Sequence, residues 1–178
     1  AAGGSGGLLE ADDLLEEAIL DASASSVTFD NLNNYSNYDH LQLRIIARSD
    51  RDAASENVEI RFNDVTTGYY EHRIRGTGSG IDSSGTTFFG DAINGGIVTG
   101  GRAPTGEFGA SIVDILDFSS TVKNTTTKGI DTSVSAPRIH FTSNGWFNTA
   151  EVTKLLIYCN SGANFVPGTR FSLYGSRG

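Results

Sequence analysis

The sequence predicts an all-β protein, an antiparallel β-sandwich of jelly-roll-like form with about ten strands. Three observations carry this. Short runs alternate apolar and polar side chains, the period of a strand with one buried and one wet face. The 178 residues include 22 Gly but only 3 Pro, with abundant Ser, Thr and Asn, as suits a β protein with many tight turns. Turn signals recur between the runs, and no fixed-period repeat organises them. One domain, 14–178, follows from the length and is expected to bury about 70% of the surface its unfolded chain exposes. A Gly-rich N-terminal arm, 1–13, precedes it.

The elements follow in order. Ala1–Gly7 (AAGGSGG) has no means of packing by itself. It is expected to lie along a neighbouring chain as an added strand, or to fold back on its own domain. Leu8–Leu20 pits two patterns against each other. Leu14, Leu15, Ala18 and Ile19 have helical spacing behind Asp12 and Asp13 as caps, yet Leu14–Leu20 is taken as a strand and Leu8–Asp13 as a short helical turn. Ser26–Phe29 places Val27 and Phe29 together, and Asp30–Asp39 reads as an Asn- and Tyr-rich loop. His40–Arg48 carries Leu41, Leu43, Ile45 and Ala47 on one face. Asn57–Phe62 repeats the design with Val58, Ile60 and Phe62, and Tyr69–Arg75 sets Tyr70, His72 and Ile74 on an apolar face against Glu71, Arg73 and Arg75.

Gly76–Gly85 and Gly95–Gly106, either side of a TTFFGDAI run, read as exposed loops. Glu107–Leu116 is a long strand, with Phe108, Ala110, Ile112 and Leu116 on one side and Val113 and Ile115 on the other. Thr125–Val134 alternates weakly and is placed as an edge or an outer strand. Arg138–Thr142 carries Ile139 and Phe141, Ser143–Gly145 turns the chain, and Trp146 opens a final hairpin. That hairpin pairs Glu151–Cys159, apolar on both faces, with Thr169–Gly175 through a connector holding Gly162, Pro167 and Gly168.

Three blocks carry a family resemblance: Ser23–Ser49 (SASSVTFDNLNNYSNYDHLQLRIIARS), Phe108–Phe118 (FGASIVDILDF) and the ending NFVPGTRFSLYG with GWFNTAEVTKLLIY before it. In this order they resemble a group of small all-β virion structural proteins of tailed bacteriophages, whose members close on a similar SRFSLYG-like motif. The resemblance covers nearly the whole chain after Ala22. It implies a place in a particle, as a head-decoration or tail-appendage component, and it carries no catalytic residues.

Composition narrows the function classes. A net charge of −8 disfavours nucleic acid, which needs a basic stripe. No apolar run approaches the ~20 residues that span a bilayer, and no signal peptide is recognisable, so no membrane partner is expected. The single cysteine, Cys159, excludes an internal disulfide framework and allows assembly in a host cytoplasm before incorporation into the virion. The absence of methionine implies removal of an initiator or of a longer leader.

Chemistry finds little support. His40, His72 and His140 lack metal-ligand spacing, so neither a metal nor another cofactor is expected, and His72 reads as a core or subunit-contact residue. Asp114 and Asp117, three apart on a strand, point to opposite faces and cannot act as a carboxylate pair. Gly76–Gly80 (GTGSG) lacks the Lys-Ser/Thr and the helix of a phosphate loop, and no Ser sits in a GxSxG elbow. The expectation is therefore a non-enzymatic exterior component of a phage particle, capsid decoration or tail appendage. The arm residues Ala1, Ala2, Gly3, Gly4, Ser5, Gly6, Gly7, Leu8 and Leu9 are expected to anchor it to other virion proteins, and three-fold placement of jelly rolls suggests a homotrimer. The alternative is a tail adhesin that stacks host surface glycans on Tyr35, Tyr38 and Trp146, with Asn144 bonding their hydroxyls. Its bland counterpart has Trp146 in the core and both tyrosines closing one end of the sandwich.

Overall fold

Among the described residues the chain forms twelve strands: β1 (Asp13–Ile19), β2 (Ser26–Phe29), β3 (His40–Ala47), β4 (Ser55–Phe62), β5 (Tyr69–Gly76), β6 (Ile81–Gly90), β7 (Ile93–Thr99), β8 (Gly109–Leu116), β9 (Thr125–Ser133), β10 (Arg138–Trp146), β11 (Leu155–Cys159) and β12 (Arg170–Ser176). The computed structural model describes residues 12–133 and 137–177, and for 86–89 the backbone alone. The anchor residues Ala1–Leu9, and Val134, lie outside these. The strands build the expected antiparallel sandwich from two unequal sheets, β1-β12-β3-β8-β9-β10-β5-β6 and β2-β11-β4-β7.

The apolar core sits where the strict alternators face one another. Leu41, Leu43 and Ile45 of β3, Val113 and Ile115 of β8, and Phe171 and Leu173 of β12 point at Val58, Ile60 and Phe62 of β4 and Leu155 and Ile157 of β11, all buried. One end is closed by three rings. Trp146 stacks on Tyr69 with centroids 6.0 Å apart and meets Phe62 edge-on at 5.7 Å. The Tyr69 hydroxyl accepts from the Phe62 amide at 2.9 Å and lies 3.1 Å from the Val65 carbonyl, so the ring is held by both of its ends. Polar side chains tie the loops down. Arg48 donates to the carbonyls of Gly101, Ala103, Pro104 and Glu107, and Asn63, left-handed at φ 52°, accepts from the amides of Thr153 and Lys154.

Five expectations need correction. The last two strands are not a hairpin: β11 lies between β2 and β4, β12 between β1 and β3, and their connector crosses from one sheet to the other over the buried Phe165. Both strands are interior, so each needs two neighbours and neither takes the other. Ser143–Gly145 does not turn the chain. These residues stay in β10, paired with Lys128–Thr126 on one side and His72–Tyr70 on the other, and the Tyr70 ring covers Gly145. β9 is not an edge but lies between β8 and β10 along its length. Two glycine-rich loops are partly strand. Gly76–Gly80 does turn, but β6 starts at Ile81, where Asp82 pairs with Arg75 across the ladder. β7 takes Ile93–Thr99, wholly buried, and its glycines mark close approach rather than reversal. A Cβ on Gly95 would come within 2.9 Å of Ile60, and one on Gly96, at φ 108°, would collide with Ser111. Finally, β5 and β10 are turned over: Tyr70, His72, Ile74, Ile139 and Phe141 face outward, and Ala110 and Ile112 of β8 do the same.

Removing the Trp146 indole should empty the ring cluster. Trp146→Ala is expected to cost about 3–5 kcal/mol, read as a lowered urea midpoint with an unchanged m-value. A loss under about 1 kcal/mol would mean the cluster is not a closing element.

Candidate docking face and the polar layer behind it

β9 (TTTKGIDTS), β10 (RIHFTSNGW) and β5 (YYEHRIRG) each alternate, and alternation divides a strand into two faces without saying which is buried. The smaller sheet decides. Its edge strand β7 is buried and pairs with β4, and apart from a bridge at Thr99 to Arg48 and Ser49 its other edge presents backbone polar groups to the larger sheet. Ser111 Oγ donates to the Gly95 carbonyl at 2.7 Å, Asn144 Nδ2 to the Asn94 carbonyl at 3.4 Å, and Asp131 faces the Ile97 amide. Asn94 in turn donates to Glu71 at 3.0 Å and accepts from the Gly96 amide at 2.7 Å. These contacts require polar side chains on the inward face of β8, β9, β10 and β5.

One inward row runs through register from Ser111 to Asp131, His140, Arg75 and Asp82. At its centre His140 Nδ1 lies 3.2 Å from Asp131 Oδ2, with both side chains sealed from solvent. Burial pushes the Asp131 carboxyl up to about 7, while the Ile97 amide and the Arg138 and Arg73 charges pull the other way. Burial, then Arg138, Arg73 and Arg75, pushes His140 down to about 4, with Asp82 opposing. Between those values the folded protein holds both groups neutral. Neither His140 nor the Nε atoms of Arg73 and Arg138 have a hydrogen-bond partner among the described residues. A pair at 3% and 0% exposure is closed to any substrate.

The alternate residues of the same strands face outward, and they are apolar. Ile112 sits opposite Ile130, Ile130 opposite Phe141, and Phe141 opposite Ile74, a straight row across four strands. A second row runs from Ile46 through Ala110, Thr132 and Ile139 to Gly76 and Ile81. Phe141 and Ile74 are 55% and 56% exposed, and Ile46, Ile112, Ile130 and Ile139 between 39% and 47%. Between the side chains lie hollows of about 250 and 240 Å³, one walled by Ile112, Ile130 and Phe141, the other by Ala110, Ile112, Ile130 and Ile139, and a larger one of about 550 Å³ lies against Phe141, Ile74 and His72. Asp114, paired with Lys128 at 3.3 Å, and His72 border the patch on one side. Contiguous apolar surface of this kind marks an interaction site.

The glycan candidates do not assemble. Trp146 and Asn144 are buried, 1% and 0% exposed, so neither ring face nor amide is offered to a sugar. Tyr35 and Tyr38 are latched instead onto β1, donating to Glu16 at 3.1 Å and Asp13 at 2.6 Å, with Tyr38 lying over Gly175. Asp114 accepts from Gln42 at 2.8 Å, while Asp117 turns the chain at φ 49° beside Lys123 and His40. His72 is exposed rather than core. Burial pushes the Cys159 thiol up to about 12, an inert core position. Among the described residues no cluster of three or more His, Cys, Asp or Glu could hold a metal. The outward row was missed because Ile74 and Phe141 look like core residues, and only the cross-strand register shows that they share a surface. No protein-family model matches the chain, and no curated protein matches it.

The buried pair makes a signed prediction. Unfolded, the two groups titrate at 3.8 and 6.5. From about pH 4 to 7 folded Asp131 keeps a proton the unfolded chain has lost, so its contribution to stability falls as pH rises. Folded His140 lacks a proton the unfolded chain binds up to about pH 6.5, so its contribution rises with pH over that range. Asp131→Asn should therefore lose stability on acidification from about pH 6.5 to 4.5, relative to wild type, and His140→Gln should gain it. Glu59, which burial and Asp91 push up to about 7, acts equally in all three proteins. Urea midpoints at both pH values test this; shifts of the same sign would refute it.

Proposed function

We propose that this chain is a non-enzymatic structural component of a bacteriophage particle, on its exterior as capsid decoration or tail appendage. The observation that carries the reading is the outward apolar row Ile112–Ile130–Phe141–Ile74, on a sandwich whose titratable pair is sealed inside. Leaving that row in water costs about 25 cal/mol per Å² of apolar surface, and a component that works by gripping neighbours recovers it in assembly. The resemblance of Ser23–Ser49, Phe108–Phe118 and the NFVPGTRFSLYG ending to phage virion proteins supports the same reading. So does the net charge of −8, which suits an exterior surface that resists non-specific association. In this reading the arm Ala1–Leu9 tethers the domain to other virion proteins, and the sandwich is the rigid head.

The test is occupancy of purified particles. Full-length chain should be found on them, and deleting Ala1–Gly7 should reduce its copy number at least about tenfold while the isolated domain keeps its melting temperature. Absence of the full-length chain from particles would refute the proposed role, and unchanged occupancy of the deletion variant would refute the tether.

A further inference from the structure

The outward face carries both a protrusion and the hollow that would receive it. Phe141 stands out at 55% exposure, and beside it lies the hollow of about 250 Å³ walled by Ile112 and Ile130. A surface holding both halves of a fit on one face is self-complementary, the condition for a two-fold contact between identical subunits. We infer that a second copy of this chain covers the face, the two eight-stranded sheets packing face to face about an axis parallel to the strands between β9 and β10.

Register specifies what such an axis brings together. It keeps each row against the same row of the partner and exchanges β8 with β5 and β9 with β10. Ile112 then faces the Ile74 position of the second copy, and Ile130 faces Phe141, so each ring enters the hollow beside the other copy's Ile130. In the bordering row, which runs Asp114, Lys128, Ser143, His72, the same exchange sets Asp114 against His72. In the row beyond, Ala110 meets Gly76, so small residues oppose small ones, and Ile46 meets Ile81. Every other placement of the axis across the strands would break one of these three matches.

The size is adequate. From β3 to β6 the face spans six strands spaced ~4.8 Å apart, and its three rows are ~7 Å apart, which gives roughly 600 Å² on each partner. Two such faces reach the ~1,200 Å² at which specific interfaces begin, with aligned sheets packing ~10 Å apart. An isologous pair replaces the trimer expected from jelly-roll analogy. The inference deepens the proposed structural role and rests on it only in treating the face as a contact surface.

Sedimentation of the full chain tests it. Wild type should run as a dimer of the 18.8 kDa chain. Phe141→Asp should weaken the dimer at least about a hundredfold while the far-UV circular dichroism of the folded chain stays unchanged, since the side chain is exposed and any fall in melting temperature then reports only the lost dimer. Ile74→Glu serves as the second variant, should the first fail to fold. Mixing Asp114→Cys chains with His72→Cys chains should yield a disulfide-linked heterodimer, with Cys159 buried and silent. A monomeric wild type, a dimer indifferent to both charge substitutions, or no mixed cross-link would overturn the two-fold pair. A wild-type monomer whose Phe141→Asp variant is lost from particles would overturn the second copy as occupant while leaving the virion role standing.

Discussion

β7 is an edge strand that the fold has put indoors, and the chemistry of half the larger sheet follows from that placement. An exposed edge can leave its amides and carbonyls to water, whereas a buried one must find partners for them. Ser111, Asp131 and Asn144 approach from three successive strands of the opposing sheet, and Asn94 reaches across to Glu71. Gly95 and Gly96 let the backbones come close enough for these contacts, since any side chain there would run into Ile60 or Ser111. The two sheets are therefore joined in two ways. Under β3, β8 and β12 they share an apolar core, and under β9, β10 and β5 they share a layer of polar side chains.

That polar layer has a consequence on the other side of the sheet. A strand shows alternate residues to its two faces, so a strand that spends its polar residues inward has its apolar ones left for the outside. β9, β10 and β5 do this together and in register, which is why Ile130, Phe141 and Ile74 form a row rather than a scatter. Scattered exposed isoleucines would need no explanation. The apolar outer face and the sealed Asp131–His140 pair are thus the two sides of one arrangement, and the proposed structural role rests on both.

The two C-terminal runs were each legible as strands, Glu151–Cys159 and Thr169–Gly175, yet the strands they contain, Leu155–Cys159 and Arg170–Ser176, belong to different sheets. The same division holds for the candidate site. Phe141 and Ile74 were visible as apolar strand residues, but nothing in their own segments shows that they adjoin, because they lie in strands separated by more than sixty positions and meet only through the β5–β10 ladder. Trp146 and Asn144 looked available to a sugar because Ser143–Gly145 resembles a turn. Continuous pairing on both sides of β10 carried them into the interior instead.

By itself the sequence determined the architecture class, the placing of β1 to β5 along the chain, and which residues share a face in the strands that alternate, because period-2 alternation is a local property of the chain. Tertiary structure alone decided which face is inside. That choice belongs to whatever packs opposite, and for β5, β9 and β10 the opposing element is a buried backbone edge, which takes polar partners where an apolar surface would have taken Ile74, Ile130 and Phe141. It also decided the meaning of the glycines: in Gly76–Gly80 they turn the chain, while at Gly95 and Gly96 they let two sheets touch. A glycine reads the same in either role, since what distinguishes a reversal from a close approach is a neighbour distant in sequence.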